Sequence, residues 1–365
     1  MASANPRPDS SEIRDRHRAF WRRDPADRPL GTCFLGSRMP EDLYPAARRL
    51  PIGRVRPGDL DVATFLPDYE RRFETHASIG DDSFWADSPF FGIPWAEAIF
   101  GCPVYYSGES FWVEPIWEEY PASEADWAAL RAGGTAEGAE WLARLNEFTG
   151  ALVASAAGRF GVTTPLLRGP SDLAAAVRGH VPMVYDLHDH PADLGRLIDA
   201  ATAAWIAIAR AQLALIPPFE GGYLCHFYRA WAPDRLVLFQ EDASSSFSPA
   251  TFRAHLLPAD NRIAAAFPYT VIHVHGTTLW PVDDLLTVDR LSCVEINYDD
   301  NAPRLPEVLP VLQRIQAAKP LIIRGALTAD EVRYVKEKLS PRGLLLNLVA
   351  QSVAEARSLM GVLRE

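Results

Sequence analysis

The chain has 365 residues, with 36 Lys and Arg against 47 Asp and Glu, which gives a formal charge of −11. Hydrophobic residues make up 48% and aromatic residues 10%, enough to build a large core and incompatible with global disorder. The acidic balance argues against nucleic acid or an anionic membrane surface as partner, because both are polyanions. No apolar run in the sequence is expected to approach the ~20 residues that cross a bilayer. The opening MASANPRPDSSEIRDRHRAFWRR also lacks the apolar stretch of a secretory signal. Cys33, Cys102, Cys225 and Cys293 lie far apart and outline neither a disulfide framework nor a Cys-rich zinc module. The expectation is a soluble, cytoplasmic, globular protein.

The polar, Pro-bearing residues 1–10 are expected to be disordered, and residues 11–365 to form one domain. SEIRDRHRAFWRR reads as a charged helix with Ser10 or Ser11 as cap. DRPLGTCFLG reads as a first strand, and the stretch from Pro40 to Pro57 as loop. LDVATFLPDYERRFETHASI has helical spacing, whereas DDSFWADSPFFGIPWAEAIFGC reads as an aromatic loop that shapes a pocket wall or a satellite core. Two helices are expected between Ser123 and Phe148, and another at ALVASAAGRF. Strands then alternate with helices: VTTPLLRG, GGYLCHF, RLVLFQEDAS, TVIHVHG, SCVEINY, PLIIRG and GLLLNLVA are strand-like, with amphipathic segments between most of them. Short apolar runs separated by helices predict a parallel sheet. Their repetition to the end of the chain predicts a single α/β barrel of the (β/α)8 TIM type, with an N-terminal helical and loop extension. No phosphate-binding glycine motif follows a strand.

In such a barrel, chemistry sits at the C-terminal ends of the strands. His273 and His275 are two apart on one strand, so their imidazoles share a face and can share one metal, with Glu241, Asp242 or Glu295 as a further ligand. The competing reading makes one histidine a hydrogen-bonded core residue and the other a substrate contact. Asp87 lies among Phe84, Trp85, Phe90, Phe91 and Trp95, surroundings that raise a carboxyl pKa toward proton transfer. The alternative for Asp87 is a turn or cap, because ADSP is good turn chemistry. Arg324, Asn347 and Gln351 end the last two strands, and Asp242 ends an earlier one; they are candidate substrate contacts with Trp85, Phe91 and Trp95. Tyr105, Tyr106, Phe111, Trp112 and Trp117 suggest a pocket lid or a homodimer patch.

QEDASSSFSPATFRAHLLPADNRIAAAFPYTVIHVHG resembles the uroporphyrinogen decarboxylase superfamily, which pairs an acidic strand end with a downstream strand reading "iH.cG". RGPSDLAAAVRG, FWADSPFFGIPWAEAIFG, INYDDN, PLIIRGALT and GLLLNLVAQSVAEARSLMGVL extend the resemblance over roughly residues 60–365. It implies a (β/α)8 barrel and either of two chemistries: cofactor-free decarboxylation, or methyl transfer between a corrinoid protein or small methylated compound and a thiol at zinc. Asp87 matches the decarboxylases' essential aspartate, and Arg38 matches one arginine of their anion-binding element. The other arginine and the late histidine are missing, so uroporphyrinogen itself is not the expected substrate. His273 matches the methyltransferases' zinc-binding histidine, and His275 stands where their first cysteine would be. A site of imidazole and carboxylate without thiolate is harder, and suits oxygen-bearing substrates better than thiols.

Three functions follow. The first is metal-assisted methyl transfer, with one divalent ion, zinc or iron, at His273 and His275 and a corrinoid on a partner protein. The second is a cofactor-independent decarboxylase (a lyase) of another carboxylated compound, with Asp87 as proton donor and Arg38 or Arg324 as anchor. The third is a non-catalytic ligand-binding barrel.

Overall fold

The computed structural model describes residues 9–37, 39–117, 127 and 135–365. Six strands form one curled parallel sheet: β1 (Leu30–Leu35), β2 (Leu236–Gln240), β3 (Tyr269–His275), β4 (Cys293–Tyr298), β5 (Leu321–Gly325) and β6 (Leu344–Ala350). Their order is β1-β6-β5-β4-β3-β2. Alternation divides each strand between two faces. On the concave face, Leu30, Leu238, Val271, Cys293, Ile322 and Leu345 form an apolar floor, on which Phe20 of helix Ser10–Arg22 also packs. One step toward the C-terminal ends, the same face carries Thr32, Gln240, His273, Glu295, Arg324 and Asn347. A polar layer over an apolar floor places the chemistry inside the curl, near the strand ends.

Of the expected eight-stranded barrel, the described residues show a curled parallel half-barrel of six strands. VTTPLLRG contributes only Val162, which with Gly161 before it pairs in parallel with Ala86–Asp87. Pro165 has no N–H to continue a ladder, so the segment runs on as irregular chain. GGYLCHF contributes Tyr223–Cys225, which turns back antiparallel against Ala230–Ala232 rather than joining the parallel sheet. The turn residue Arg229 has φ 55°, a left-handed conformation that ends any extended run there.

Several smaller expectations also change. The first helix begins at Ser10 rather than after the first ten residues, while residues 1–8 and Arg38 lie outside the described residues. Helix Ala136–Ala156 merges the second half of the expected pair with ALVASAAGRF; the first half lies outside the described residues, Trp127 apart. The aromatic stretch near Tyr105, expected as a pocket lid or dimer patch, forms a short antiparallel hairpin. Val104–Tyr106 and Phe111–Val113 pair antiparallel, with Tyr106 stacked on Phe111 and Tyr105 on Trp112. Contrary to expectation, helix Pro191–Leu215 is long and apolar enough to cross a membrane by length and composition alone. Half of its most apolar window is buried, and Trp205 packs edge-on against Phe239 and Phe267, the contact of a core helix.

The N-terminal helix is locked to the rest by a buried histidine. His17 accepts the Trp231 N–H at Nδ1 (3.1 Å) and donates from Nε2 to the Asp82 carbonyl (2.9 Å), which fixes the neutral tautomer. Burial pushes its pKa down to about 4. The unfolded chain therefore binds a proton at His17 below about pH 6.5 that the folded chain refuses, and roughly 3 kcal/mol of stability is lost between pH 6.5 and 4. We expect His17→Gln to be destabilised at pH 7 and the gap to wild type to close as pH falls to 4, measured by urea denaturation. A gap independent of pH would contradict the tautomer assignment.

Candidate metal centre

Two large cavities lie toward opposite ends of the strands. One, of about 480 Å³, touches Leu30 and Leu344 at the strand starts, the end that serves stability in such folds. The other, of about 400 Å³, is lined by Asp242, His273, His275 and Asp299 at the strand ends, with Phe252 and Leu285 as apolar wall. The second is the candidate site.

Strand register builds its centre. His273 stands directly opposite Glu295 on β4 and Gln240 on β2. The Glu295 carboxylate meets His273 Nδ1 at 2.6 Å and accepts the Tyr228 hydroxyl at 2.9 Å. His275 Nδ1 meets Asp299 at 2.8 Å, and Asp299 in turn accepts the Asn297 amide. Each histidine thus turns Nδ1 to a carboxylate and Nε2 inward, and the two Nε2 atoms lie 3.3 Å apart. A carboxylate behind each imidazole is the usual support of a metal-bound histidine.

Asp242 closes the group. One of its oxygens lies 3.6 Å from His275 Nε2 and accepts the Gln240 amide at 2.6 Å. Its backbone is held by Asp172, which accepts the N–H groups of Asp242 (3.3 Å) and Ala243 (2.9 Å). Burial and the neighbouring Asp242 charge raise Asp172 to about 7. Burial also works against ionisation of Asp242 itself, but the His275 hydrogen bond and the nearby imidazoles hold it below the ordinary carboxylate range. The Asp242 hydrogen bond, with Asp299 on the other side, raises His275 to about 9 against the opposing effect of burial.

Ligand atoms of Asp242, His273 and His275 all fall within 4.8 Å of one another. A tetrahedral ion with bonds of about 2.05 Å places two nitrogen ligands ~3.3 Å apart, the separation found here. The donor set therefore fits a divalent metal such as zinc or iron, with a coordination position left to face the cavity.

The other expected residues separate. Glu295 backs His273, and Glu241 accepts the Ser171 N–H at 2.7 Å at the start of helix Pro170–Arg178; neither belongs to the three-residue group. Burial, with Asp260 and Asp172 nearby, holds Glu241 well above the ordinary carboxylate range. Arg324 donates to Asn297 Oδ1 (3.0 Å) and lines a cavity of about 130 Å³ beside His273, Gln240 and Tyr228. Asn347 is buried and donates to Thr32 (2.9 Å). Trp95 is core, its N–H on the Phe90 carbonyl, and Phe91 packs on Tyr44 and Phe227. Trp85 and Gln351 line a separate recess.

Asp87 departs from expectation. It accepts from Tyr44 (2.8 Å), the Ser88 N–H (2.9 Å) and Arg72 (3.0 Å). Burial opposes its charge, yet Arg72 and its other polar neighbours outweigh burial and lower the pKa rather than raise it. The aromatic residues around it in sequence hid the cation that meets it in space. Asp299, Tyr228 and Asp172 were missed as supports. Asp299 alone had a signal, its place two residues past Asn297 at the end of β4.

Over 97% of this chain and 98% of its own length, a methyltransferase from Methanosarcina mazei superposes with a TM-score of 0.62 at 14% identity. The two share a fold. A tryptophan synthase from M. tuberculosis covers 98% of both chains at 12% identity, but its TM-score of 0.33 carries no argument. No family model and no curated protein matches the sequence.

Removing a supporting carboxylate tests the arrangement without touching a ligand. Asp299→Asn is expected to weaken binding of added zinc by roughly tenfold to a hundredfold, measured by competition with a chromophoric chelator. Unchanged affinity would remove Asp299 from the site.

Proposed function

We propose that the protein is an enzyme of metal-assisted methyl transfer to or from a small molecule, with a corrinoid protein as the methyl-carrying partner. The observation that carries this reading is the convergence of Asp242 and two carboxylate-backed histidines on one point at the mouth of a cavity. The shared fold with a methyltransferase supports it at the level of architecture. Bound there, a divalent ion supplies Lewis acidity, and without thiolate ligands it favours an oxygen-bearing substrate.

The chain's own groups have definable roles. Glu295 and Asp299 keep protons on the Nδ1 atoms, so that both Nε2 lone pairs point inward. Asp242 adds one negative charge, leaving a cationic centre once a divalent ion is bound. Phe252 and Leu285 limit water on one side of the cavity, while Ser244, Ser245 and Thr277 offer hydroxyls to a polar substrate. Decarboxylation is the weaker reading, because an Asp87 held ionised by Arg72 is poorly suited to deliver a proton.

Free methylcobalamin serves as a methyl donor for the test. In the presence of thiol- and hydroxyl-bearing acceptors, the metal-loaded protein should consume it, as followed by its visible spectrum. His273→Ala should lower the rate at least about a hundredfold, equivalent to some 3 kcal/mol of lost transition-state stabilisation. Equal rates for the loaded and chelator-treated protein would contradict the reading.

A further inference from the structure

A second recess, of about 220 Å³, opens where β1 and β6 end and helix Val353–Arg364 begins. Among the described residues it shares no lining residue with the metal centre. Its wall carries three arginines, Arg71, Arg72 and Arg229, which reach it from helix Leu66–His76 and from the hairpin that follows Tyr223–Cys225. None of them belongs to the sequence element where anion-binding arginines were expected.

The arginines are incompletely satisfied. Arg229 is 1% exposed, and among the described residues its guanidinium meets the Ala86 carbonyl but no carboxylate within ion-pair distance. Among the described residues its Nε is buried without a partner, and so is Nη1 of Arg72. Arg72 spends its Nε on Asp87, and Arg71 pairs with Asp68 at 2.8 Å. Asp42, a carboxylate in the wall, pairs with Arg48. Burial brings Arg229 down to about 10, which leaves it charged at neutral pH. A buried cation with an unused donor is costly unless something compensates it.

The backbone adds to this field. Val353, the first residue of a 12-residue helix, lines the recess, and the first N–H groups of a helix have no acceptor within it. Ser352 caps the Glu355 N–H, and the Glu355 carboxylate accepts the Gln351 N–H at 2.8 Å and so offsets part of the positive helix end. The helix start and the three arginines line one recess, and guanidinium groups beside backbone N–H groups are a combination that selects oxyanions.

We propose that this recess binds the anionic group, a carboxylate or a phosphate, of a small-molecule ligand. Arg71, about half exposed, is the gate-side contact, and Arg229 and Arg72 are the buried ones. The proposal goes beyond the methyl-transfer reading and does not depend on metal.

Calorimetric titration of the chelator-treated full-length protein with inorganic phosphate, and separately with acetate, tests it. We expect saturable binding of at least one anion, weakened about tenfold or more in Arg71→Gln and in Arg229→Lys. Binding of phosphate alone assigns a phosphorylated ligand, and binding of acetate alone a carboxylate. Arg229→Lys risks misfolding because the residue is buried, whereas Arg71→Gln changes a half-exposed side chain and keeps the test decisive. Absence of saturable binding up to about 100 mM of either anion, or binding that Arg71→Gln leaves unchanged, overturns the proposal. Because no metal is present, either result leaves the metal reading standing or falling by itself.

Discussion

The contact between His273 and Glu295 organises the site. It follows from register alone, since adjacent parallel strands set the two residues side by side on the concave face. A carboxylate fully buried in that position needs donors, and Tyr228 and the His273 ring provide them to Oε2, while Oε1 has no partner among the described residues. Once Nδ1 is committed to Glu295, Nε2 can point only toward the cavity. The same strand then carries His275 into range, and Asp299 repeats the arrangement one step higher. The group reads as two supported ligands completed by Asp242 from the turn after the neighbouring strand.

Much of this was legible in the sequence. The spacing His-Val-His on an apolar strand put two imidazoles on one face, and Gln240-Glu241-Asp242 marked a strand end beside them. What alternation could not resolve was which acid takes part. Asp242, after the last residue of β2, reaches the imidazoles, whereas Glu241 turns to the helix start at Ser171. Glu295 was rightly placed near His273, but as the group behind the ligand. Adjacent acids are distinguished by backbone direction at a strand end, and composition carries no record of that.

The fold was legible in its second half, and in its first half as far as the first helix, β1 and helix Leu66–His76. Long β-branched strands from Leu236 onward give a clear alternating pattern with helices between them. Between Ala86 and Ala232 the paired strands are two or three residues long, interrupted by Pro165 and the Arg229 turn, and periodicity over so short a run decides nothing. Asp87 fails for a related reason. Its aromatic neighbours in sequence imply desolvation, but Arg72 arrives from a helix fifteen residues earlier and reverses the effect. Cations contributed by distant elements, Arg229 among them, leave no local motif.

The central claim is that Asp242, His273 and His275 hold a metal ion, and metal stoichiometry tests it most directly. Elemental analysis of purified protein, and of chelated protein re-exposed to zinc or iron and freed of excess ion, should find about one ion per chain. The His273→Ala, His275→Ala double variant should remain folded and lose it. Folded wild-type protein that takes up no ion, or a double variant that retains it, would contradict the account.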